Sequence, residues 1–164
     1  MSGVSVLGDA RLQALIDALQ AQSAAQEAET REFFVERAKK REVSGDGLDA
    51  DANRFLADKM VALEPAKAEF CYLMCRALRA RRVVEVGTSF GVSTLYLAAA
   101  VRDNGGGVVI GTEYEPAKAA TARANFAPAA RQRPSPVEGS AAVEGSCGRG
   151  AAALWLVRRP CRLS

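Results

Sequence analysis

The first half of the chain carries apolar residues at the three- and four-residue spacing of amphipathic helices. This spacing predicts a first helix over residues 9–42, with Asp9 as its N-cap, and a second helix over residues 49–63. A third helix is predicted over residues 65–80, where Pro65 suits the first helical position. The positions expected to be buried on these helices are Leu12, Leu15, Ile16, Leu19, Phe33, Phe34, Val35, Phe70, Leu73, Met74, Ala77 and Leu78.

Short β-branched runs replace the helical pattern after residue 82. The first run predicts a buried parallel strand that ends at Gly87, and the second predicts a strand that ends at Glu113. A helix follows each strand, and Thr88 or Ser89 is the expected cap of the first of these helices. The predicted elements are a strand over 83–86, a helix over 92–101, a strand over 108–112 and a helix over 116–126. This order is the start of a doubly wound α/β sheet with a right-handed crossover.

Periodicity ends after Phe126. Residues 127–164 hold four of the six prolines, and residues 154–157 are their only strand-like run. A segment of this composition is expected to be a disordered tail. The chain therefore divides into a helical cap over residues 1–64, an α/β half-domain over residues 65–126 and a tail over residues 127–164.

The net charge of +3 is unevenly distributed along the chain. Residues 127–164 contain six Arg and two Glu, with no Lys or Asp, which gives +4. Residues 1–126 contain 16 basic and 17 acidic residues, which gives −1. The body of the protein is therefore not a basic surface for nucleic acid.

Targeting signals and cysteine usage point to a cytoplasmic protein. No apolar run approaches the ~20 residues of a membrane span, and residues 1–8 lack the basic and apolar regions of a signal peptide. Four cysteines in a chain of this length do not make a disulfide framework, so Cys71 and Cys75 are expected to be buried structural thiols. The chain contains no histidine, which excludes Ser-His-Asp catalysis, Cys-His catalysis and His-ligated zinc.

A carboxylate and two glycines surround the end of the first predicted strand. Glu85 precedes Gly87 by two residues, and Gly91 opens the following helix. Gly87 has no Cβ, so a ligand can lie against the backbone there, and the helix start offers free N–H groups. Glu113, at the end of the next strand, can accept both hydroxyls of a ribose. Because ligands of doubly wound sheets bind at this edge, the residues predict a nucleotide or nucleoside site.

Two classes of ligand compete for this predicted site. The dinucleotide fingerprint requires Gly-x-Gly-x-x-Gly, whereas this chain has Gly-x-x-x-Gly with Ser89 at the third position. The carboxylate of Glu85 would repel a pyrophosphate, but it suits a ligand with a positive end, such as S-adenosylmethionine. A nicotinamide-binding fragment stays open as an alternative. So does a non-catalytic protein that docks on a partner through the Leu12–Leu19 stripe of its first helix.

Three stretches of the chain resemble the class I S-adenosylmethionine-dependent O-methyltransferases of the catechol/caffeoyl-CoA O-methyltransferase-like group. They are residues 65–70, 83–94 and 107–116, and they occur in the family's order. The resemblance implies a Rossmann-like fold that is incomplete in this chain, with S-adenosylmethionine as its cofactor. It implies methyl transfer to a small-molecule hydroxyl, catechol-like or other. It also suggests that the N-terminal helices cap the active site and assist formation of a homodimer.

The resemblance further implies roles for individual residues. Glu85 would hold the methionine ammonium or organise the loop around it, and Gly87 would line the methionine moiety. Ser93 would contact the methionine carboxylate, Glu113 would hold the ribose, and Tyr114 would lie beside the adenine. The other residues implied at the cofactor site are Leu63, Thr88, Ser89 and Gly91.

The resemblance covers about residues 60–126 only. In the family, later strands supply an Asp that ligates a divalent metal such as Mg²⁺, and a catalytic Lys, but residues 127–164 contain neither residue type. No metal ligand or catalytic residue is therefore assigned. The abrupt change after Phe126 is what truncation or a reading-frame shift in a GC-rich gene would produce, which a comparison of the gene's three frames tests. We expect a cofactor-binding half-domain with weak or no turnover.

Overall fold

The computed structural model describes residues 5–39 and 50–130, and only the backbone of residues 128–130. Within these ranges the chain forms six helices and two strands. In chain order they are α1 (Ala10–Ala25), α2 (Glu27–Lys39), α3 (Ala50–Leu56), α4 (Pro65–Ala77), β1 (Arg82–Val86), α5 (Val92–Asp103), β2 (Val108–Thr112) and α6 (Pro116–Ala130). None of the helices described is both long enough and apolar enough to cross a membrane. The prediction that a disordered tail begins at residue 127 is wrong for residues 127–130, because they continue the helix α6. The rest of the predicted tail, with the strand-like run at residues 154–157, lies outside the described residues.

The first helix begins where the sequence predicts. The Asp9 carboxylate caps α1 by accepting hydrogen bonds from the backbone N–H groups of Arg11 and Leu12, both at 3.1 Å. Leu12, Ile16 and Leu19 are buried, as predicted, in the core of this chain. The stripe is therefore unavailable for the partner docking that the interaction-protein alternative assigned to it.

The prediction of a single long first helix is wrong, because the chain breaks at Gln26. The backbone of Gln26 caps the C-terminus of α1, and its side chain accepts a hydrogen bond from the Met60 N–H at 2.8 Å. Beyond this break α2 buries none of its residues. Both phenylalanines of α2 contact the ring of Phe55 in α3 and are half-buried. Val35, expected to be buried, is exposed.

The second predicted helix is shorter than expected, because α3 ends at Leu56 rather than near residue 63. The chain turns over residues 57–59, where the N–H groups of Ala57 and Lys59 donate to carbonyls of the last helical turn. This turn brings Met60 into the core, where the side chain is only 5% exposed. Burial of Met60 and its bond to α1 thus take the place of a continued helix.

The helix α4 begins at Pro65 as predicted but packs through an unexpected face. It buries Ala68 and Tyr72 and half-buries Cys71 and Cys75, because these residues pack closely against α5 and the side chain of Val83 in β1. The prediction that the largest apolar residues of α4 are buried is wrong. The exposed residues are Phe70, Leu73, Met74, Ala77 and Leu78.

The two strands pair in parallel, as the sequence predicts, with Arg82 opposite Val108 and Val86 opposite Thr112. Val109 of β2 is fully buried beneath α5. The prediction that β1 is buried on both faces is wrong, because Val84 is 68% exposed and Val86 is 88% exposed. No element of the described residues packs on that face of β1, which leaves a half-covered α/β sheet.

Candidate functional site

The turn between β1 and α5 is held in a strained backbone conformation. Gly87, Ser89 and Gly91 all have positive φ, at 84°, 50° and 93°. The N–H groups of Gly87 and Thr88 both donate to the carbonyl of Thr112 at the end of β2, at 3.0 and 2.9 Å. These bonds tie the turn to the carboxyl edge of the sheet. The space where a Cβ of Gly87 would lie is open, so a ligand can approach the backbone at that point.

The start of α5 differs from the prediction. Gly91 is the N-cap and makes no side-chain capping bond, so the expectation that Thr88 or Ser89 caps the helix is wrong. Both side chains are engaged elsewhere, as described below. A Cβ at Gly91 would lie 2.6 Å from Cζ of Phe126 in α6, so this glycine lets the ring pack against the turn.

Glu85 organises the turn through its side chain. Its carboxylate accepts hydrogen bonds from three hydroxyls of the chain, Thr88 Oγ1 at 2.9 Å, Ser93 Oγ at 2.6 Å and Thr94 Oγ1. Of the two roles that the resemblance implied, this geometry supports the loop-organising one. Ser93 lies in the first turn of α5, and its hydroxyl proton is directed to Glu85.

Glu113 lies at the end of β2, buried to 9% exposure and facing the turn. One carboxylate oxygen accepts the Ser89 N–H at 2.6 Å, and the other accepts the Glu115 N–H at 2.9 Å. Because each oxygen can accept two hydrogen bonds, one acceptor position per oxygen is left over from these two bonds. Burial lowers the pKa of the neighbouring Lys118, and the charges of Glu113 and Glu115 act in the opposite direction.

The structure brings most of the predicted site residues to one edge and leaves two at its margin. Ser89 and Glu113 are hydrogen-bonded to each other, while Glu85 and Gly87 bond to other residues of the turn, of α5 and of the end of β2. The side chain of Leu63 packs against the core and is half-buried, while Tyr114 is 74% exposed. Cofactor contact by these residues stays a prediction.

Sequence reasoning missed three residues that build this region. Thr94 directly follows Ser93, which was predicted. Two adjacent hydroxyl residues at the start of a helix, next to a strand that ends with a carboxylate, could have indicated that both bind Glu85. Gln20 and Gln26 reach residues 60–63 across the fold. Glutamine on an exposed helix face carries no such signal, because its partner is more than 30 residues away in sequence.

The described residues contain no cluster of three or more His, Cys, Asp or Glu side chains that could hold a metal ion. Cys71 and Cys75 are half-buried free thiols, and burial raises the pKa of Cys75, as does the neighbouring Cys71. A separate cavity of about 500 Å³ lies on α1 and α2, away from the strand ends. It is lined by Ala24, Glu27, Ala28, Arg31, Glu32 and Val35.

The part of the chain that contains this turn is similar to known proteins. Residues 84–158 match a family model described as "Methyltransferase domain". Over 66 residues the chain is 38% identical to the catechol O-methyltransferase of Mycobacterium tuberculosis (strain ATCC 25618 / H37Rv), covering 40% of this chain and 29% of that protein. The chain thus spans less than a third of the curated relative that it matches.

Two solved structures are similar to parts of this chain. The O-methyltransferase from Bacillus cereus, solved in complex with SAH, is 24% identical with a TM-score of 0.43, covering 75% of this chain and 40% of that one. The O-methyltransferase TomG from Streptomyces achromogenes, solved in complex with SAM, is 30% identical with a TM-score of 0.41, covering 49% of this chain and 35% of that one.

The family match extends past Phe126 and ends outside the described residues, so the predicted domain boundary stays a prediction. The match includes β1, the turn, α5 and β2 almost in full. Residues 84–158, somewhat less than half of the chain, are therefore similar to the methyltransferase-domain family.

Proposed function

We propose that this protein binds S-adenosylmethionine at the carboxyl edge of β1 and β2, as the cofactor-binding part of an O-methyltransferase acting on a small-molecule hydroxyl. The observation that carries the proposal is the pairing of Glu113 with the turn. Its buried carboxylate is fixed at 2.6 Å from the Ser89 N–H, beside the open space at Gly87.

The residues present fit the chemical groups of this cofactor. Glu113 retains acceptor positions for two ribose hydroxyls, and a charged acceptor pair at fixed spacing suits a vicinal diol. Gly87 leaves room for the methionine moiety against the backbone. The first turn of α5 offers N–H groups of the kind that bind a carboxylate. S-adenosylmethionine, when bound, supplies a sulfonium methyl group that a substrate oxygen attacks.

The chain's own contribution is to bind and orient the nucleoside end of the cofactor. The groups that the resemblance assigns to metal and acceptor binding would fall in residues 127–164, which contain no Asp and no Lys. The divalent metal implied by the resemblance finds no ligand cluster among the described residues, so no step is derived through it.

Isothermal titration with S-adenosylmethionine tests the proposal. We expect the wild type to bind, and Glu113→Gln to bind about tenfold more weakly, because an amide loses the charged acceptor that the ribose hydroxyls need. Glu32→Gln is the matched control, since Glu32 is exposed on α2 and distant in the sequence from the turn. Thermal unfolding of each variant checks that the fold is retained.

A nicotinamide dinucleotide serves as the competing ligand in the same titration. Glu85→Gln does not discriminate between the two ligands. Glu85 accepts hydrogen bonds from hydroxyls of the chain itself, so its replacement would weaken the binding of S-adenosylmethionine and of the dinucleotide alike. Tighter binding of the dinucleotide, or equal binding of S-adenosylmethionine by wild type and Glu113→Gln, would overturn the proposal. A methylation assay on a catechol with Mg²⁺ tests turnover, and robust turnover would refute the half-domain expectation.

A further inference from the structure

Residues 60–63, which lie between α3 and α4, are held in place by Gln20 of α1 and by Gln26, the residue that caps the C-terminus of α1. The Met60 N–H donates to Gln26 Oε1 at 2.8 Å, and Gln20 Nε2 donates to the Leu63 carbonyl at 2.9 Å. The segment has no regular secondary structure, so these side chains satisfy backbone groups that a helix would otherwise pair. Gln26 is also the residue at which α1 ends, so the helix break places its amide toward Met60.

Ser89, in the β1–α5 turn, also binds this segment. The Val61 N–H donates to Ser89 Oγ at 3.1 Å, and the Ser89 N–H donates to the Glu113 carboxylate at 2.6 Å. Ser89 is 7% exposed and has a φ of 50°. One buried residue therefore joins residues 60–63, the β1–α5 turn and the end of β2.

We propose that Gln20, Gln26 and Ser89 are positioning residues for the cofactor site: they fix residues 60–63 as a wall beside the β1–α5 turn, to which Glu113 is hydrogen-bonded. The inference rests on the proposed function. It assigns to α1 a part in ligand binding, although α1 contributes no residue to the site itself. When the wall is released, Ser89 loses its bond to Val61, and the Ser89–Glu113 contact is no longer held from that side.

The two glutamines act with opposite polarity, which gives a specific test. Position 26 must present an acceptor to an N–H group, whereas position 20 must present a donor to a carbonyl oxygen. Gln26→Glu keeps an acceptor and preserves the wall. Gln20→Glu places an oxygen against the Leu63 carbonyl oxygen and releases the wall. Gln22→Glu is the charge-matched control, because Gln22 is exposed on the same helix.

The experiment measures S-adenosylmethionine affinity by titration and release of the wall by trypsin. Lys59 directly precedes the segment, so cleavage at the Lys59–Met60 bond, followed by mass spectrometry, reports release without any ligand. We expect Gln20→Glu and Gln26→Ala to bind about fivefold more weakly and to be cleaved faster, since each loses about one hydrogen bond. Gln26→Glu and Gln22→Glu should match the wild type in both measurements.

Ser89→Gly provides a second arm that separates positioning from folding. It removes the hydroxyl but relieves the positive φ, so the free energy of unfolding in urea should be nearly unchanged while affinity falls. Equal affinity and equal cleavage in Gln20→Glu and Gln22→Glu would overturn the inference while leaving the proposed function intact. Absence of binding by the wild type, with faster cleavage in Gln20→Glu only, would instead overturn the proposed function and with it the role of the wall.

Discussion

Glycine at position 91 is required by a neighbour on another helix as well as by its own backbone. Its φ is 93°, a conformation that L-residues with a Cβ adopt only with strain. In addition, a Cβ there would contact the Phe126 ring of α6 at less than van der Waals distance. Gly87 has a similar φ of 84° but open space around the missing Cβ. A side chain at position 87 would therefore meet backbone strain only, whereas a side chain at position 91 would meet both backbone strain and a steric conflict.

Gly91→Ala is expected to lower the free energy of unfolding by about 2–4 kcal/mol, because strain and overpacking add. Gly87→Ala should cost only about 1–2 kcal/mol, the strain alone. Urea unfolding of both variants, and of Gly91→Ala in a Phe126→Leu background, measures the difference. If the steric account is right, the smaller side chain at position 126 reduces the cost of Gly91→Ala. Equal costs in both backgrounds would contradict it.

The residues of the site were more predictable than their contacts. The positions of Glu85, Gly87 and Glu113 at the strand ends are predictable, because they depend on local order: an acid, a turn glycine and the end of a strand. The contacts of Ser89 and Gly91 depend on Val61 and Phe126, which are 28 and 35 residues away in the chain. Sequence spacing contains no information about which side chain meets them.

At the scale of elements, the strands were predicted well and the helix faces less well. Each strand is a five-residue stretch rich in β-branched residues between clear turn signals, and β2 has its predicted limits. The helix α4 has apolar residues on two faces, and the choice between them is made by α5. Ala68 and Tyr72 pack against α5, whereas Phe70, Leu73, Met74 and Leu78 are exposed. Only the partner helix decides which stripe is buried.

An ionic and hydrogen-bonded cluster joins three of these helices at the end of α5. The Tyr72 hydroxyl of α4 donates to Asp103 Oδ2 at 2.9 Å, and Arg102 Nε donates to Asp103 Oδ1 at 2.8 Å. Arg102 also contacts the Asp9 cap of α1 at 3.3 Å. Burial by itself would raise the pKa of Asp103. The hydrogen bonds from Arg102 and Tyr72 have the larger combined effect, so the pKa of Asp103 lies below its ordinary value.

Tyr72→Phe should make the free energy of unfolding fall less steeply as the pH is lowered from neutral to acid. A carboxyl whose folded pKa lies below its unfolded pKa of about 3.9 stabilises the fold above that value, and this contribution is lost as pH falls through the folded pKa. The variant should be about 1 kcal/mol less stable near neutral pH and closer to the wild type near pH 3. Urea unfolding at both pH values measures this gap, and a gap that does not narrow in acid would contradict the assignment.

On the scale of the whole molecule, apolar residues that sequence analysis placed in the core lie at the surface. We name Phe70, Leu73, Met74 and Leu78 the α4 stripe; their exposed fractions range from 41% to 73%. Exposed apolar patches of this kind promote association of proteins in solution. The exposure of this stripe could not be predicted from the sequence, because it depends on which elements pack beside α4.

Replacing residues of the α4 stripe should change association more than stability. We expect the Phe70→Gln/Leu78→Gln variant to self-associate less than the wild type as concentration rises, measured by size exclusion with light scattering. Its free energy of unfolding should stay within about 0.5 kcal/mol per substitution. Leu95→Gln, at a position only 3% exposed, is the contrasting variant and should unfold the protein. A large loss of stability in the double variant would show instead that the stripe is covered in solution.

The parallel pairing of β1 has a consequence for its solvent-facing amides. The Val108 N–H donates to the Arg81 carbonyl and the Gly87 N–H donates to the Thr112 carbonyl, so odd-numbered residues of β1 face β2. The even-numbered amides, including those of Val84 and Val86, point to the edge that no described strand occupies. In deuterated water the strand is thus protected at every second position, and its backbone alternates between slow and fast isotope exchange.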